Sequence, residues 1–477
     1  MKRYLALLLV TLLLVGLFGC AGGGNGETTA PTESEAVANE PLLVGYGRAD
    51  ITPNRAVPLG GYGNSQNRYS TEVRDSLYVT CIAVTCGQDT ALLITQDLLY
   101  GYDTPTAEAR MQIMLQLKVI GTRVMICGTH THSGPDLGSN NTDILAYREM
   151  YYAGVVEAAR QALEDRVPAE IYGTKVQTEG LNFIRHYIRE DGTYTGSNFG
   201  SQSKAPIAEH AEEGDPEMQL VRFAREGKKD ILLMNWQAHP CYTSGSTVTV
   251  ISADYIATIR DKVEGSSDML FAFFAGATGN QNARSLIAEE KHNLTVEQYG
   301  DTLGQLALDA VAGMKKVEGS GIKTSKQTLT LAVNHDGEDK LTQAQEVAKL
   351  FSKDGVVATA NQLAWQYGFS SVYEANAITQ RINWPAEDTF EIDVMNIGGL
   401  AFVFAPYEMF SGSGKYIKEN SPFDMTIVAS CANASKRYFP TENAYDYGAY
   451  EAVTSYFAKG CAEATAKKFV EMLKEIK

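Results

Sequence analysis

Between residues 91 and 129, two apolar runs, ALLITQDL (91–98) and TRVMICGT (122–129), flank a segment whose apolar positions recur at helical spacing from Thr104 through Met111 and Leu115. Strand, helix, strand is the building unit of α/β folds. The pattern continues with an amphipathic stretch at 143–165, strand candidates at 169–178, 230–238 and 269–276, and a helix-like 296–317. SKQTLTLAV (325–333) alternates as a strand does, and 341–368 is again helical in pattern. FEIDVMNIGGLAFVFAP (390–406) reads as two strands turning at Gly398-Gly399, followed by a strand at 424–431 and a closing helix from about 449 to 475. No repeat of 20 to 50 residues is visible. These features predict one large compact α/β domain over 42–477, with mixed sheets and surrounding helices.

The amino terminus is organised differently. Lys2 and Arg3 precede the apolar run Tyr4 to Leu14, which is too short to span a bilayer comfortably, and the run closes in Leu17-Phe18-Gly19-Cys20. This resembles a bacterial lipoprotein signal, which implies removal of residues 1–19 and diacylation of Cys20. Residues 20–41 are Gly, Ser, Thr, Ala and Glu without apolar period and are expected to be a disordered tether. The expected product is an exported lipoprotein, anchored to the cell membrane on its extracytoplasmic side. A formal net charge of −16 argues against nucleic acid as a partner, and against adhesion to an anionic membrane surface through basic patches. The cysteines beyond Cys20 sit mostly in apolar contexts such as VMICG and IVASCA, and they read as buried thiols rather than a disulfide framework.

Three places carry candidate chemistry. GTHTHSGP (128–135) sets His130 and His132 just past a strand, where residues i and i+2 of an extended chain project to one side and two imidazoles reach one point. His239, in NWQAHP, also follows an apolar strand, and a tetrahedral metal site draws ligands from several such elements. Glu408 follows the apolar run LAFVFAPY, where an acid is costly to bury unless it is paired or holds a cation; the alternative is a helix N-terminal acid. His186, His210, His292 and His335 lie in polar surroundings and are expected to be solvated.

VGYGRADITP (44–53), GTHTHSGP (128–135), DPEMQLVRF (215–223), NWQAHP (235–240), ISADY (251–255), APYE (405–408) and YFPTENAYDYGAYEA (438–452) occur in the order and approximate spacing of the neutral/alkaline ceramidase family, which the chain resembles over about 43–475. The resemblance implies one catalytic zinc held by His130, His239, Glu408 and Tyr438, with His132 and Tyr450 facing substrate beside it. The family's arginine matches Arg185 in NFIRHY, where Ile184 and His186 replace the usual Asn and Arg. Ceramidases read GDVSPN where this chain reads GNQNAR (279–284), so Asn282 stands at the serine position and a serine nucleophile is excluded there. The immunoglobulin-like domain that comes next in ceramidases is not expected.

The reaction that this resemblance implies is hydrolysis of an N-acyl amide by water activated on zinc. Arg185 and Tyr450 steady the oxyanion, His132 moves protons, and Asn282 at most hydrogen-bonds substrate or water. Asp254 reads either as a carboxylate orienting His239 or as a helix N-terminal acid. The alternatives are hydrolysis of another amide or ester, and a non-catalytic lipoprotein that binds a lipid or glycan.

Overall fold

The strand Tyr78–Cys86 shows how the layers arise. Val79, Cys81 and Ala83 belong to one apolar cluster and Ile82 and Val84 to another, and all five are fully buried. A strand dry on both faces lies between two other layers. The computed structural model describes residues 40–62, 67–197, 202–354 and 357–477. Its main sheet contains β1 (Leu43–Asp50), β2 (Tyr78–Cys86), β3 (Asp89–Gln96), β4 (Val124–Gly128), β5 (Val167–Gln177), β6 (Glu217–Arg225), β7 (Asp230–Trp236) and β8 (Met269–Ala275). Their spatial order is β8-β7-β6-β5-β1-β2-β3-β4, and Lys315–Lys316 adds to β5. A second sheet runs in order through β9 (Ile322–Ala332), β10 (Glu387–Ile397), β11 (Leu400–Phe404) and β12 (Thr426–Ala429).

The two sheets pack face to face. Val44, Ile82, Leu93, Phe223 and Leu233 of the first share one buried cluster with Met395, Phe402, Phe404 and Ile427 of the second. The outer face of the main sheet is covered by α1 (Asp103–Leu117), α2 (Thr142–Glu164), α3 (Tyr255–Ser266) and α4 (Val296–Ala310). Three helices, α5 (Leu341–Asp354), α6 (Val357–Gln366) and α7 (Val372–Arg381), gather around a small core of their own that includes Ala344, Ala360, Val372 and Ile378. Ile417 of α8 (Ser411–Asn420) and Phe469, Met472 and Leu473 of α9 (Cys461–Glu475) cover the outer face of the second sheet. The result is a four-layer α/β/β/α body with mixed sheets.

Most ladders of these two sheets are antiparallel, but three of their pairs are parallel: β3 with β4, β7 with β8, and β11 with β12. The segments that leave the carboxyl ends of these pairs hold the polar side chains of the candidate centre, as is usual for ligand sites in α/β folds.

Two expected elements differ. The pattern at 341–368 corresponds to two described helices, α5 and α6, and residues 355 and 356 lie outside the described residues. The closing helix begins only at Cys461, because Gly460 turns the chain at φ +87° and the Ser455 hydroxyl bonds the Phe457 amide; before it stands a separate short helix, Tyr450–Val453. The expected signal peptide, Cys20 and nearly all of the tether fall on 1–39, outside the described residues. Among the described residues, no helix is long and apolar enough to cross a membrane. The six cysteines after Cys20 are free thiols, and all but Cys241 are buried.

Helix α2 lies unusually close to β1. A Cβ on Gly45 or Gly47 would stand 2.0 Å from the carbonyl oxygen of Ala162 or Ala158. Gly47→Ala should therefore destabilise the fold by about 1–3 kcal/mol in denaturant unfolding. Gly265→Ala, in α3 with no atom within 4 Å of the added carbon, should stabilise by about 0.5–1 kcal/mol.

Candidate metal centre

His130 stands two residues past β4, and the Leu98 carbonyl accepts its amide hydrogen bond at 3.0 Å. Its φ of +73° shows that the HTH segment is not extended; the left-handed turn, rather than strand alternation, brings the His130 and His132 rings to 5.0 Å. His239 follows β7, donates its amide to the Gln281 carbonyl and forms a bridge with Asn282. Glu408 opens the two-residue strand Glu408–Met409, which pairs in parallel with Tyr438–Phe439 and sets Tyr438 opposite Glu408.

The three rings share one hydrogen-bond arrangement. Nδ1 of His130 faces the Leu99 carbonyl at 2.9 Å, that of His132 faces Gly61 at 3.0 Å, and that of His239 faces Thr278 at 2.8 Å. A carbonyl only accepts, so these contacts put the ring hydrogen on Nδ1 and leave a lone pair on Nε2. The Nε2 atoms of His130 and His239 are 3.1 Å apart, and they lie 3.2 and 3.4 Å from Glu408 Oε2. The Tyr100 hydroxyl donates to the other oxygen, Oε1. Glu408 Oε2 and His132 Nε2 are buried without a hydrogen-bond partner. The ligand atoms of the three histidines lie within 4.8 Å of one another. Neutral imidazoles backed by carbonyls and converging on a carboxylate oxygen fit a divalent cation, and nitrogen with oxygen suits zinc.

Electrostatics agree with that fit. Burial alone would raise the Glu408 carboxyl, yet His130 and His239 hold it well below the usual range. Burial, then His130 and His239, push His132 down, while burial, then Arg185, takes His239 to about 4. Against burial, Cys431 and Glu408 hold His130 up. The centre favours positive charge beside the carboxylate.

Arg185 is buried, donates from Nη2 to the Gly279 carbonyl at 2.7 Å and lies 5.5 Å from the Tyr438 ring centroid. Asn282 pairs with Phe183 at the rim beside His239. Tyr450 begins the short helix Tyr450–Val453, with its ring 6.3 Å from that of Tyr438; burial, then Glu451, raises its hydroxyl to about 12. His130, His132, His239 and Glu408 thus meet in one place, with Arg185 next to Tyr438, Tyr450 next to Tyr438, and Asn282 next to His239.

Asp254 does not touch His239. Its carboxylate accepts from the Tyr255 amide and from the amide and hydroxyl of Thr243, so it is the N-cap of α3, with φ +59°. His186 is not solvated: it is buried between Glu451 and Glu212. His210 and His292 are half-buried around Phe183. Sequence reasoning missed Tyr100, Cys431 and Glu451. Tyr100 was findable, because it follows the strand that pairs in parallel with the HTH strand; Cys431, whose Sγ lies 3.4 Å from His130 Nδ1, carried no local signal. A cavity of about 680 Å³ is lined by Phe183, Glu212, Asp215 and Lys418 among others, and none of the three histidines or Glu408 lines it.

Similarity to solved structures agrees with this architecture. A crystal structure of neutral ceramidase from Pseudomonas aeruginosa aligns with a TM-score of 0.66 at 16% identity, over 91% of this chain and 74% of that one. The fold is that of neutral ceramidase. A ceramidase complexed with C2 aligns with a TM-score of 0.67 at 15% identity, over 91% and 75% of the two chains. No protein-family model matches the sequence, and no curated protein does. On this ceramidase fold the cap assignment is checked by thermal and chemical unfolding. Asp254→Ala should cost about 1–2 kcal/mol, and Asp254→Asn, which keeps an acceptor and tolerates a left-handed backbone, should cost less.

Proposed function

We propose that the protein is a zinc-dependent amidohydrolase that cleaves an N-acyl amide, either ceramide or a related acyl amide. The observation that carries this reading is the meeting of the buried His130 and His239 Nε2 atoms at Glu408 Oε2, 3.2 and 3.4 Å away, beside the ring of His132. His130, His239, Glu408 and Tyr438 would hold the ion. When bound, zinc supplies a Lewis acid and lowers the pKa of a water toward ~7.

The chain's own side chains do the rest. Tyr100 holds Oε1 of Glu408 and so turns Oε2 to the histidines. Arg185 and the Tyr450 hydroxyl donate to the carbonyl oxygen as it gains charge. His132 Nε2, which has no other partner, takes a proton from the attacking water and delivers it to the departing amine. Asn282 offers an amide donor at the rim. An acyl lipid as substrate accords with the similarity to a ceramidase complexed with C2 and with the lipoprotein signal that the sequence resembles. In this reading Cys20 carries the lipid, and the domain works at the outer side of the membrane.

Metal analysis of folded variants, run with hydrolysis across a panel that includes ceramide, tests the roles. His130→Ala and His239→Ala should each lose stoichiometric zinc and all turnover. His132→Ala should keep zinc and lose about 10²- to 10⁴-fold in kcat. Retention of zinc by both of the first two variants would sink the ligand assignment. Separately, Cys20→Ala should abolish membrane retention or leave an unprocessed precursor in fractionated cells; a mature form beginning elsewhere yet still retained would end the anchor proposal.

A further inference from the structure

Behind Arg185 stand three ionisable side chains, Glu451, His186 and Glu212, that have no part in the roles assigned above. Glu451, 1% exposed, bridges two cations: Oε1 lies 2.7 Å from Arg185 Nη2, and Oε2 lies 2.8 Å from His186 Nε2. The other ring nitrogen of His186 is 3.4 Å from Glu212 Oε1. Glu212 also accepts from the amides of Asn280, at 2.8 Å, and Asn443, at 3.2 Å. The Glu212 contact is an ion-pair distance and not a hydrogen bond, and a carboxylate facing each ring nitrogen favours the imidazolium. Guanidinium, imidazolium and two carboxylates then balance, which makes the burial of Arg185, His186 and Glu451 beside the half-buried Glu212 tolerable. Tyr194 and Phe410 cover the ring, with centroids 5.8 and 5.5 Å away.

The cluster ends at the candidate centre. Arg185 has two anchors, Glu451 and the Gly279 carbonyl; its guanidinium sits beside Tyr438, and its Nε has no hydrogen-bond partner. An arginine held on one side, with a donor to spare, is arranged in advance for an oxygen that gains charge. We propose that Glu451 is the positioning residue for Arg185, and that His186, hydrogen-bonded to Glu451 and flanked by Glu212, in turn fixes Glu451. The proposal rests on the functional reading in which Arg185 meets the substrate carbonyl.

The relay has a pH signature. Burial disfavours the His186 imidazolium, while Glu451 and Glu212 favour it more strongly and raise its pKa above 6.5. Glu451, which burial alone would push up, is brought to about 2 by Arg185 and His186. The relay is therefore whole below the pKa of His186, and it is lost as pH rises through that pKa.

The test is a double-mutant cycle on the zinc-loaded full chain. Glu451→Gln should lower kcat by about 10- to 1000-fold, the range for one oriented donor, with full zinc content and KM within about threefold. Glu451→Asp should recover part of the loss, and adding Glu451→Gln to Arg185→Gln should cost nothing further. His186→Arg, charged at every pH, should move the alkaline limb of the kcat profile upward. His186→Gln should reproduce the Glu451→Gln defect, and it stands in for that variant if the latter does not fold. Additive losses in the cycle, loss of zinc from Glu451→Gln, or an unchanged alkaline limb in His186→Arg would overturn the proposal. If the wild type hydrolyses no amide or ester, the functional reading fails by itself. The same cycle is then read from calorimetric Kd values for octanoate as a carboxylate probe, where coupling of Arg185 with Glu451 supports the relay and additivity refutes it.

Discussion

Glu408 carries its charge at 2% exposure, and a carboxylate moved there alone would cost several kcal/mol even after local relaxation. What offsets that cost comes from far away in the chain. Tyr100 follows β3, His130 follows β4, His239 follows β7, and Glu408 itself follows β11. Only when the two sheets lie face to face do the carboxyl ends of the three parallel pairs meet, so the charge at Glu408 and the stacking of the sandwich depend on each other. The dry layer of Phe223, Leu233, Phe402 and Ile427 provides the driving force, and the strand ends provide the chemistry.

That division accounts for how similarity persists at 15–16% identity with TM-scores of 0.66 and 0.67. Layers need apolar side chains of suitable volume on both faces of each strand, a demand that many sequences meet. The strand ends need particular atoms at particular places, and few sequences meet that.

The same contrast governs how much could be read from the sequence. Strands such as 91–98 and 269–276, the helix at 143–165 and the turn at Gly398-Gly399 were legible because their periodicity is local. His130, His239 and Glu408 were legible because each is a polar group directly after an apolar run. The stacking of two sheets was not, since a strand buried on both faces reads alike against helices or against another sheet. His186 was misread as solvated because its partner, Glu451, lies 265 positions away, and no window of sequence brings the two together. Asp254 carried two readings, and the geometry of Thr243 and Tyr255 decided for the cap. The break before α9 depends on one left-handed glycine, which an apolar pattern does not reveal.

The left-handed backbone at His130 has a consequence of its own. A non-glycine residue at φ +73° costs about 1–3 kcal/mol, and here it also brings a second imidazole to 3.1 Å and a carboxylate to 3.2 Å. Glycine would relax the backbone, and an apolar neighbour would relieve the crowding, so the position opposes the stability of the fold that holds it. Directed evolution for heat resistance alone would erode His130 early; if the centre binds the ion proposed for it, selection in the presence of that ion would reverse the sign, because the ion would reward the crowding.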